Sequence, residues 1–542
     1  MLIEEVLKSK IQLALKEIGV ELELNQIVIE RSKEKVHGDY ATNVAMQLAR
    51  TLRNAPLMIA NDLVAHLNQE GFEKVEVVNP GFINFFLKAE AVSSIVSTII
   101  NEGDKYGTQT YGQGQKINVE FVSANPTGDL HLGHARGAAI GDCICRLYSK
   151  VGYDVTREYY VNDAGNQINN LGESLRARYH ELFGDNSCPI PENGYHAPDL
   201  IKIAEKMKEE VGDKYLTDSE ESKRYFMRRG TEFELAKINE DLKNFRVAFD
   251  VFTYETDVRN NHEVENVLEK TKKYCYEQDG ALFLRTTDFV DDKDRVIIKS
   301  DGSYTYLLPD IAYHLNKLSR GFTQLIDVLG ADHHGYINRM KSSLQMFGYP
   351  REILEVELIQ MVRLFKNGEE YKMSKRTGNA IAMRELCDEV GTDAVRYYFV
   401  NRAASAHLDF DLDLATENSS ANPVYYAQYA YARMCAVLKA GQEYGIDVEG
   451  KNLKDEKEVA LMKHLQDYGK DVLDAAITRS PYKMATYIQK LASLIHSFYT
   501  ECHILDKENI ETTKSRLALC EASRIVLKNA LELIGVNAPE KM

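Results

Sequence analysis

The chain has 542 residues, 44% hydrophobic and 27% charged, and its 66 Lys+Arg against 82 Asp+Glu leave a formal net charge of −16. With 33 Gly and 11 Pro it excludes a collagen-like or largely disordered polymer, and the length suits about three or four domains. No apolar run approaches the roughly 18 residues that span a bilayer, and the start MLIEEVLKSK has no signal-peptide apolar core, so no membrane association is expected. Eight Cys, scattered singly apart from Cys143-Ile-Cys145, predict free thiols in a reducing cytoplasm. The acidic total argues against a protein that coats nucleic acid, but a specific nucleic-acid partner needs only local basic patches.

In chain order, a helical start (Leu2, Val6, Ile11, Leu15) is followed by a helix over 40–52 and β-rich pieces at 75–78 and 82–87. This predicts a small α+β domain over residues 1–105, leading into a Gly-dotted linker at 103–114. From Lys116, apolar strands alternate with helices: a strand at 117–122, a helix from about 134 to 151, a strand at 155–160. A strand at 324–329, a helix around 338–347 and a strand at 355–360 continue the pattern. Such alternation predicts a doubly wound parallel sheet of Rossmann type over 106–380. A polar, helix-rich insertion at about 170–300 would interrupt it, with a Pro-marked loop at 186–198. A connecting segment, 381–420, precedes a region where strand signals vanish and apolar residues fall at helical spacing, as in Leu461, Leu465, Tyr468, Val472 and Ala476. Residues 421–542 therefore read as an all-α helical bundle, not needed for the rest to fold.

Two constellations carry chemistry. The first, Asn125-Pro126-Thr127-Gly128-Asp129-Leu130-His131-Leu132-Gly133-His134, directly follows a strand and opens a helix. Helix starts at the carboxyl ends of parallel strands bind phosphates, His131 and His134 can donate to a nucleotide, and Gly133 would let an adenine ring lie on the backbone. Alone, an H-x-G-H tetrapeptide is more often structural. The second, Lys372-Met373-Ser374-Lys375-Arg376, sits between Gly368 and Gly378 and reads as a loop; most Lys-rich turns are simply solvated. The two in this order, about 240 residues apart across a doubly wound sheet, are hard to obtain by chance.

The pair resembles the HIGH and KMSKS signatures of class I aminoacyl-tRNA synthetases. The flanking VEFVSANPTGDLHLGHARGAAIGD, REYYVNDAGNQI, YLLPDIAYH, VLGADHHGY and the closing GVNAPEKM are similar to arginyl-tRNA synthetases, as are HGDYATNVAMQLA, NPGFINFFL and NPVYYAQYAYAR. Leu132 stands where the first signature usually has Ile, a conservative change. The resemblance implies a Rossmann catalytic domain, an N-terminal domain touching tRNA and a helical anticodon-binding domain. It further implies ATP-dependent activation of L-arginine and transfer to tRNA(Arg), with tRNA bound before activation, in a cytoplasmic monomer.

By the same resemblance His131, His134, Lys372 and Lys375 are catalytic, and with Gly133, Met373 and Ser374 they hold ATP. Glu120 and Asn125 would grip the amino-acid end of arginine. A guanidinium needs carboxylates and stacks on rings, which suits Tyr306 and Asp310, four residues apart near the start of an expected helix at 308–318. Asp332 is a further candidate; helix cap for Asp310 and core for Tyr306 are the plain alternatives. Adjacent His333 and His334 point apart, so no structural zinc is expected, and magnesium should arrive with ATP. A nucleotidylyltransferase shares H-x-G-H but usually lacks a large helical C-terminal domain. A non-catalytic relative would be expected to have lost His134 or Lys375. Zinc-ligand cysteines and a long editing insertion, expected of other synthetases, are not found.

Overall fold

The computed structural model describes residues 3–32, 35–196, 198–371 and 381–542. The N-terminal part places helices α1 (Ile3–Glu17), α2 (Val44–Leu52) and α3 (Pro56–Ala65) on an antiparallel sheet. Its strands, β1 (Ile29–Arg31), β2 (Tyr40–Thr42), β3 (Phe72–Val78) and β4 (Phe82–Leu87), run in the order β1-β2-β4-β3. The expected helix over 40–52 thus begins late: Tyr40 and Thr42 alternate inward as a strand, with Tyr40 opposite Phe85, and helix follows only after Asn43. Helix α4 (Ala89–Glu102) leads out. The stretch expected as a linker is a packed seam, where the Tyr106 hydroxyl donates to the Leu465 carbonyl at 3.0 Å and Gln109 Nε2 to that of Gly469 at 2.5 Å.

The centre is a five-stranded, all-parallel sheet of order β12-β11-β5-β6-β7. Its strands are β5 (Lys116–Glu120), β6 (Asp154–Val161), β7 (Val251–Tyr254), β11 (Gln324–Gly330) and β12 (Leu354–Ile359). Helix α5 (Leu132–Lys150) makes the crossover from β5 to β6. One expected boundary changes here. Val251–Tyr254, inside the stretch assigned to an insertion at 170–300, is the fifth strand of this sheet; four half-buried edge residues carry too short a pattern to be read. What interrupts the sheet comes in two pieces. Helices α6 (Asn166–Glu181), α7 (Asp199–Val211) and α8 (Glu220–Asn244) close on their own core around Leu171, Tyr179, Ile203 and Phe226. After α9 (Glu255–Asn260) and α10 (Glu263–Thr271) comes a small antiparallel sheet of β8 (Cys275–Gln278), β9 (Ala281–Leu284) and β10 (Arg295–Ile298).

Helices α11 (Leu307–Ser319) and α12 (Tyr336–Met346) complete the doubly wound layer. Strand β13 (Val362–Lys366) then pairs with β14 (Glu369–Glu370) and, in parallel, with β15 (Leu408–Asp411), which follows α13 (Met383–Val390) and α14 (Thr392–Val400). Past α15 (Leu412–Thr416), the bundle consists of α16 (Pro423–Ala440), α17 (Glu456–Ile477), α18 (Tyr482–Glu501) and α19 (Ile510–Leu533).

The packing argues against the expectation that this bundle is dispensable for folding. Arg396 of α14, fully buried, donates to Asp142 Oδ2 on α5 (2.6 Å) and to the carbonyls of Phe245 (2.9 Å) and Ile534 (3.2 Å). Arg146 of α5 donates to the Glu532 carbonyl at 3.0 Å, and Asn537 N–H to Asp393 at 3.0 Å. One apolar core runs from Leu7 to Val536. Among the described residues no helix is long and apolar enough to cross a membrane.

Candidate active site

β5 ends at Glu120, and Val122 and Ser123 take left-handed backbone angles (φ 69° and 37°) that bend the chain out of the sheet. Ser123 locks the bend: its hydroxyl donates to Glu120 Oε1 at 2.9 Å and accepts from Tyr160 N–H at 3.0 Å. The turn delivers His131 to the N-cap of α5. His131 Nδ1 accepts from the backbone N–H of Gly133 (3.1 Å) and His134 (3.4 Å), while His134 Nδ1 accepts from His131 N–H (3.4 Å). The two rings stack with centroids 3.6 Å apart.

This capping fixes the chemistry of both imidazoles. An Nδ1 that accepts from N–H carries no proton, so the proton of each neutral ring is on Nε2. Burial pulls the His131 pKa below its ordinary value, and burial followed by the neighbouring His131 lowers His134 to about 4. Both rings are therefore neutral at pH 7 and meet an anion as hydrogen-bond donors, not as charges. Gly133 also makes room for the His131 ring: a Cβ there would lie 2.9 Å from His131 Cε1.

Beside this turn lies a cavity of about 340 Å³ walled by His131, Gly133, Met361, Val362, Tyr371 and Ile381. Lys372, Met373, Ser374 and Lys375 lie outside the described residues; Tyr371 and Ile381, which flank them, both line this cavity. Met383 N–H donates to the Leu130 carbonyl at 2.7 Å, tying the far flank to the His131 turn. Met361 and Val362 were not singled out by the sequence, since two apolar residues at a strand start carry no signal of their own.

The residues expected to bind arginine are distributed unevenly. Glu120 is 8% exposed and its Oε2 accepts from Lys317 Nζ at 2.5 Å. Asp310, in the first turn of α11, is half-buried, and among the described residues its carboxylate has no hydrogen-bond or ion-pair partner. Burial raises it to about 7, with Glu120 and Glu255 adding to the effect against His314 and Arg339. Asn125 donates to Gln167 Oε1 at 2.7 Å and, with Tyr306, Arg259 and Lys299, lines a second cavity of about 890 Å³.

Tyr306 and Asp310 stand one helical turn apart at the start of α11, where the Tyr306 carbonyl accepts from Asp310 N–H at 3.2 Å, but Tyr306 is 82% exposed while Asp310 is half-buried. Asp332 sits in the short turn after β11 with its side chain 86% exposed. The sequence missed His314, Lys317 and Asp327, a buried polar cluster below the site; their signal was a polar stripe at 310, 314 and 317 on an otherwise apolar helix.

A five-stranded parallel sheet whose first βα turn presents paired imidazoles beside a cavity is the architecture of a class I aminoacyl-tRNA synthetase, and the class is shown by residues 95–416, which match the "tRNA synthetases class I (R), catalytic domain" model. Residues 5–87 match the "Arginyl tRNA synthetase N terminal domain" and 427–542 the "DALR anticodon binding domain". The chain is 50% identical over 550 residues to the arginine–tRNA ligase of Bacillus subtilis, covering 99% of each, and 51% identical over 558 residues to that of Anoxybacillus flavithermus, covering 100% of each. Its fold matches that of the Thermus thermophilus arginyl-tRNA synthetase with a TM-score of 0.74 at 21% identity, over 99% of this chain and 100% of the other. The chain belongs to the arginyl-tRNA synthetase family.

Proposed function

We propose that this chain joins L-arginine to tRNA(Arg) in two steps, in the cytoplasm and as a monomer. The carboxylate of arginine attacks the α-phosphorus of ATP, which enters with its magnesium ion, and pyrophosphate leaves. A hydroxyl of the terminal tRNA ribose then attacks the carbonyl of arginyl-adenylate, and AMP leaves. Neither step needs a covalent bond to the protein; positioning and stabilisation of developing charge supply the rate.

ATP lies in the cavity beside Gly133, with the Nε2–H groups of His131 and His134 donating to its phosphates. Lys372 and Lys375 supply the positive charge that the neutral histidines lack, and Met373 and Ser374 belong to the same contact. Glu120 and Asn125 take the ammonium end of arginine, Asp310 takes the guanidinium, and Tyr306 stacks at the mouth. Asp332 is left out. The observation that carries this reading is the half-buried Asp310, whose carboxylate has no hydrogen-bond or ion-pair partner among the described residues and stands near Glu120 and Glu255: a spare anion there suits a cationic side chain. A nucleotidylyltransferase is disfavoured by the four long helices after Asn422.

The test is ATP–pyrophosphate exchange with each amino acid in turn, with and without total tRNA. Exchange with arginine alone, and only when tRNA is present, is expected. Exchange driven by any other amino acid overturns the reading.

A further inference from the structure

α11 buries apolar residues against the sheet, yet Asp310, His314 and Lys317 recur along its inner side. Lys317 is fully buried; its ammonium donates to Glu120 Oε2 on β5 (2.5 Å) and Asp327 Oδ1 on β11 (3.2 Å) and lies 4.4 Å from the centre of the Tyr313 ring. His314, 2% exposed, is held at both nitrogens: Nε2 is 2.8 Å from Asp327 Oδ2, and Nδ1 is 2.8 Å from the backbone oxygen of Asp310. Burial opposes ionisation of Asp327, but Lys317 and His314 outweigh it and hold the carboxyl well below the usual range. A carboxylate and a carbonyl can only accept. Both nitrogens of His314 therefore donate, and the ring is an imidazolium.

The charges of this cluster cancel: Lys317 and His314 against Glu120 and Asp327. Glu255 has its own partner in Arg259, whose Nε is 2.9 Å away. The Asp310 carboxylate has no hydrogen-bond or ion-pair partner of its own among the described residues; beyond the cluster, Arg339 is the cation that acts on it. Buried ion pairs rarely add stability over apolar replacements, so what such a cluster contributes is the placement of the groups it holds.

We propose that Lys317 and His314 are positioning residues of the amino-acid pocket. The chain Glu120–Lys317–Asp327–His314–Asp310 backbone fixes how far the Glu120 and Asp310 carboxylates stand apart, and so the length of the amino acid that fits between them. This rests on the reading that those two carboxylates receive the two ends of arginine. Homoarginine has the same ends and one methylene more, so preference for arginine over homoarginine reports the spacing.

The experiment is ATP–pyrophosphate exchange by the full chain, with saturating tRNA, for arginine and homoarginine. The variants are His314→Gln, Lys317→Met and the double variant Lys317→Met/Asp327→Asn, which removes a buried cation and anion together and so stays folded where the single lysine change leaves two carboxylates stranded. In the folded variants the KM for arginine should rise at least about tenfold and the arginine-to-homoarginine ratio of kcat/KM should shrink about fivefold, with the KM for ATP within about twofold. A wild-type ratio in those variants, or equal rises in both KM values, overturns the proposal and leaves the cluster a structural one. Glu120→Gln separates the two levels. If it leaves the KM for arginine unchanged, the ammonium is not held there, and the reading and the inference fall together. If it raises that KM while the ratio stays fixed in the Lys317 and His314 variants, only the inference falls.

Discussion

His131 and His134 are kept neutral by the way the helix uses them: each Nδ1 is spent on backbone N–H, and burial disfavours the cation. His134→Ala removes one preorganised donor and should lower arginine activation at least about a hundredfold with the fold intact; wild-type exchange kinetics in a folded variant would remove it from the ATP site. Asp310 titrates where it matters. Raised to about 7 by burial and by Glu120 and Glu255, it is mostly protonated at pH 6 and mostly ionised at pH 8, and the guanidinium binds the ionised form. The KM for arginine should therefore fall several-fold, up to about tenfold, from pH 6 to pH 8. The stability sign runs the other way. A carboxyl raised in the folded state stabilises below its unfolded value, and that contribution is lost as pH rises towards about 7. The melting-temperature gain from added arginine should thus be larger at pH 8 than at pH 6, and a gain that does not change excludes Asp310 as the guanidinium carboxylate. Citrulline, uncharged and nearly isosteric, supplies the second check: Asp310→Asn should narrow the arginine-to-citrulline preference about ten- to a hundredfold, the worth of one charge-assisted hydrogen bond.

At the scale of the element, α5 carries the site at its first turn and the packing of the sheet along its length. Arg136, fully buried one turn in, donates to the carbonyls of Gln360 (2.9 Å), Ala403 (2.9 Å) and Ala406 (2.8 Å), and so holds the lead-in to β13 against the helix that bears the histidines. Gly141 lets α5 approach β5, since a Cβ there would strike the Phe121 ring, itself buried against Phe249 at 4.5 Å between centroids. Gly137, one turn earlier, has open space where a Cβ would go. Gly141→Ala should destabilise by about 1–3 kcal/mol through overpacking, whereas Gly137→Ala should stabilise by up to about 1 kcal/mol through helix propensity. Thermal unfolding of the two variants compares them directly, and equal melting temperatures would remove the close-packing role of Gly141.

At the scale of the molecule, the bundle is a structural partner of the sheet domain. Gly535 has φ 69°, and a Cβ there would run into the Arg396 guanidinium, so the C-terminal turn closes directly on the charge that also grips α5 through Asp142. Ion pairs of Lys463 with Asp39 and of Arg31 with Asp467 bind the N-terminal domain to the same α17. A fragment ending at Ala421 would expose the buried Arg396 and Asp142 and the apolar inner face of α5. It should melt well over about 10 °C below the full chain and aggregate on size-exclusion chromatography, because a buried pair that loses its surroundings costs several kcal/mol. A monomeric fragment with the full chain's melting temperature would restore the independence that helical periodicity suggested.

Sequence alone determined much of this protein. Strand–helix alternation after Lys116 predicted the parallel sheet, helical spacing after Ala421 the bundle, and the two motifs the chemistry, since each is a local pattern that neighbouring residues write. What it left open depends on residues distant in the chain. The four-residue strand Val251–Tyr254 is recognisable only by its pairing with Glu158–Val161, and the exposure of Asp332 in the turn after β11 is likewise set by the fold. Neutral histidines, an ionised His314 and a partnerless Asp310 follow from burial and from which acceptors face which atoms. Tertiary structure decided these, because solvation and charge pairing are set by groups tens to hundreds of residues away, such as the 197 between Glu120 and Lys317.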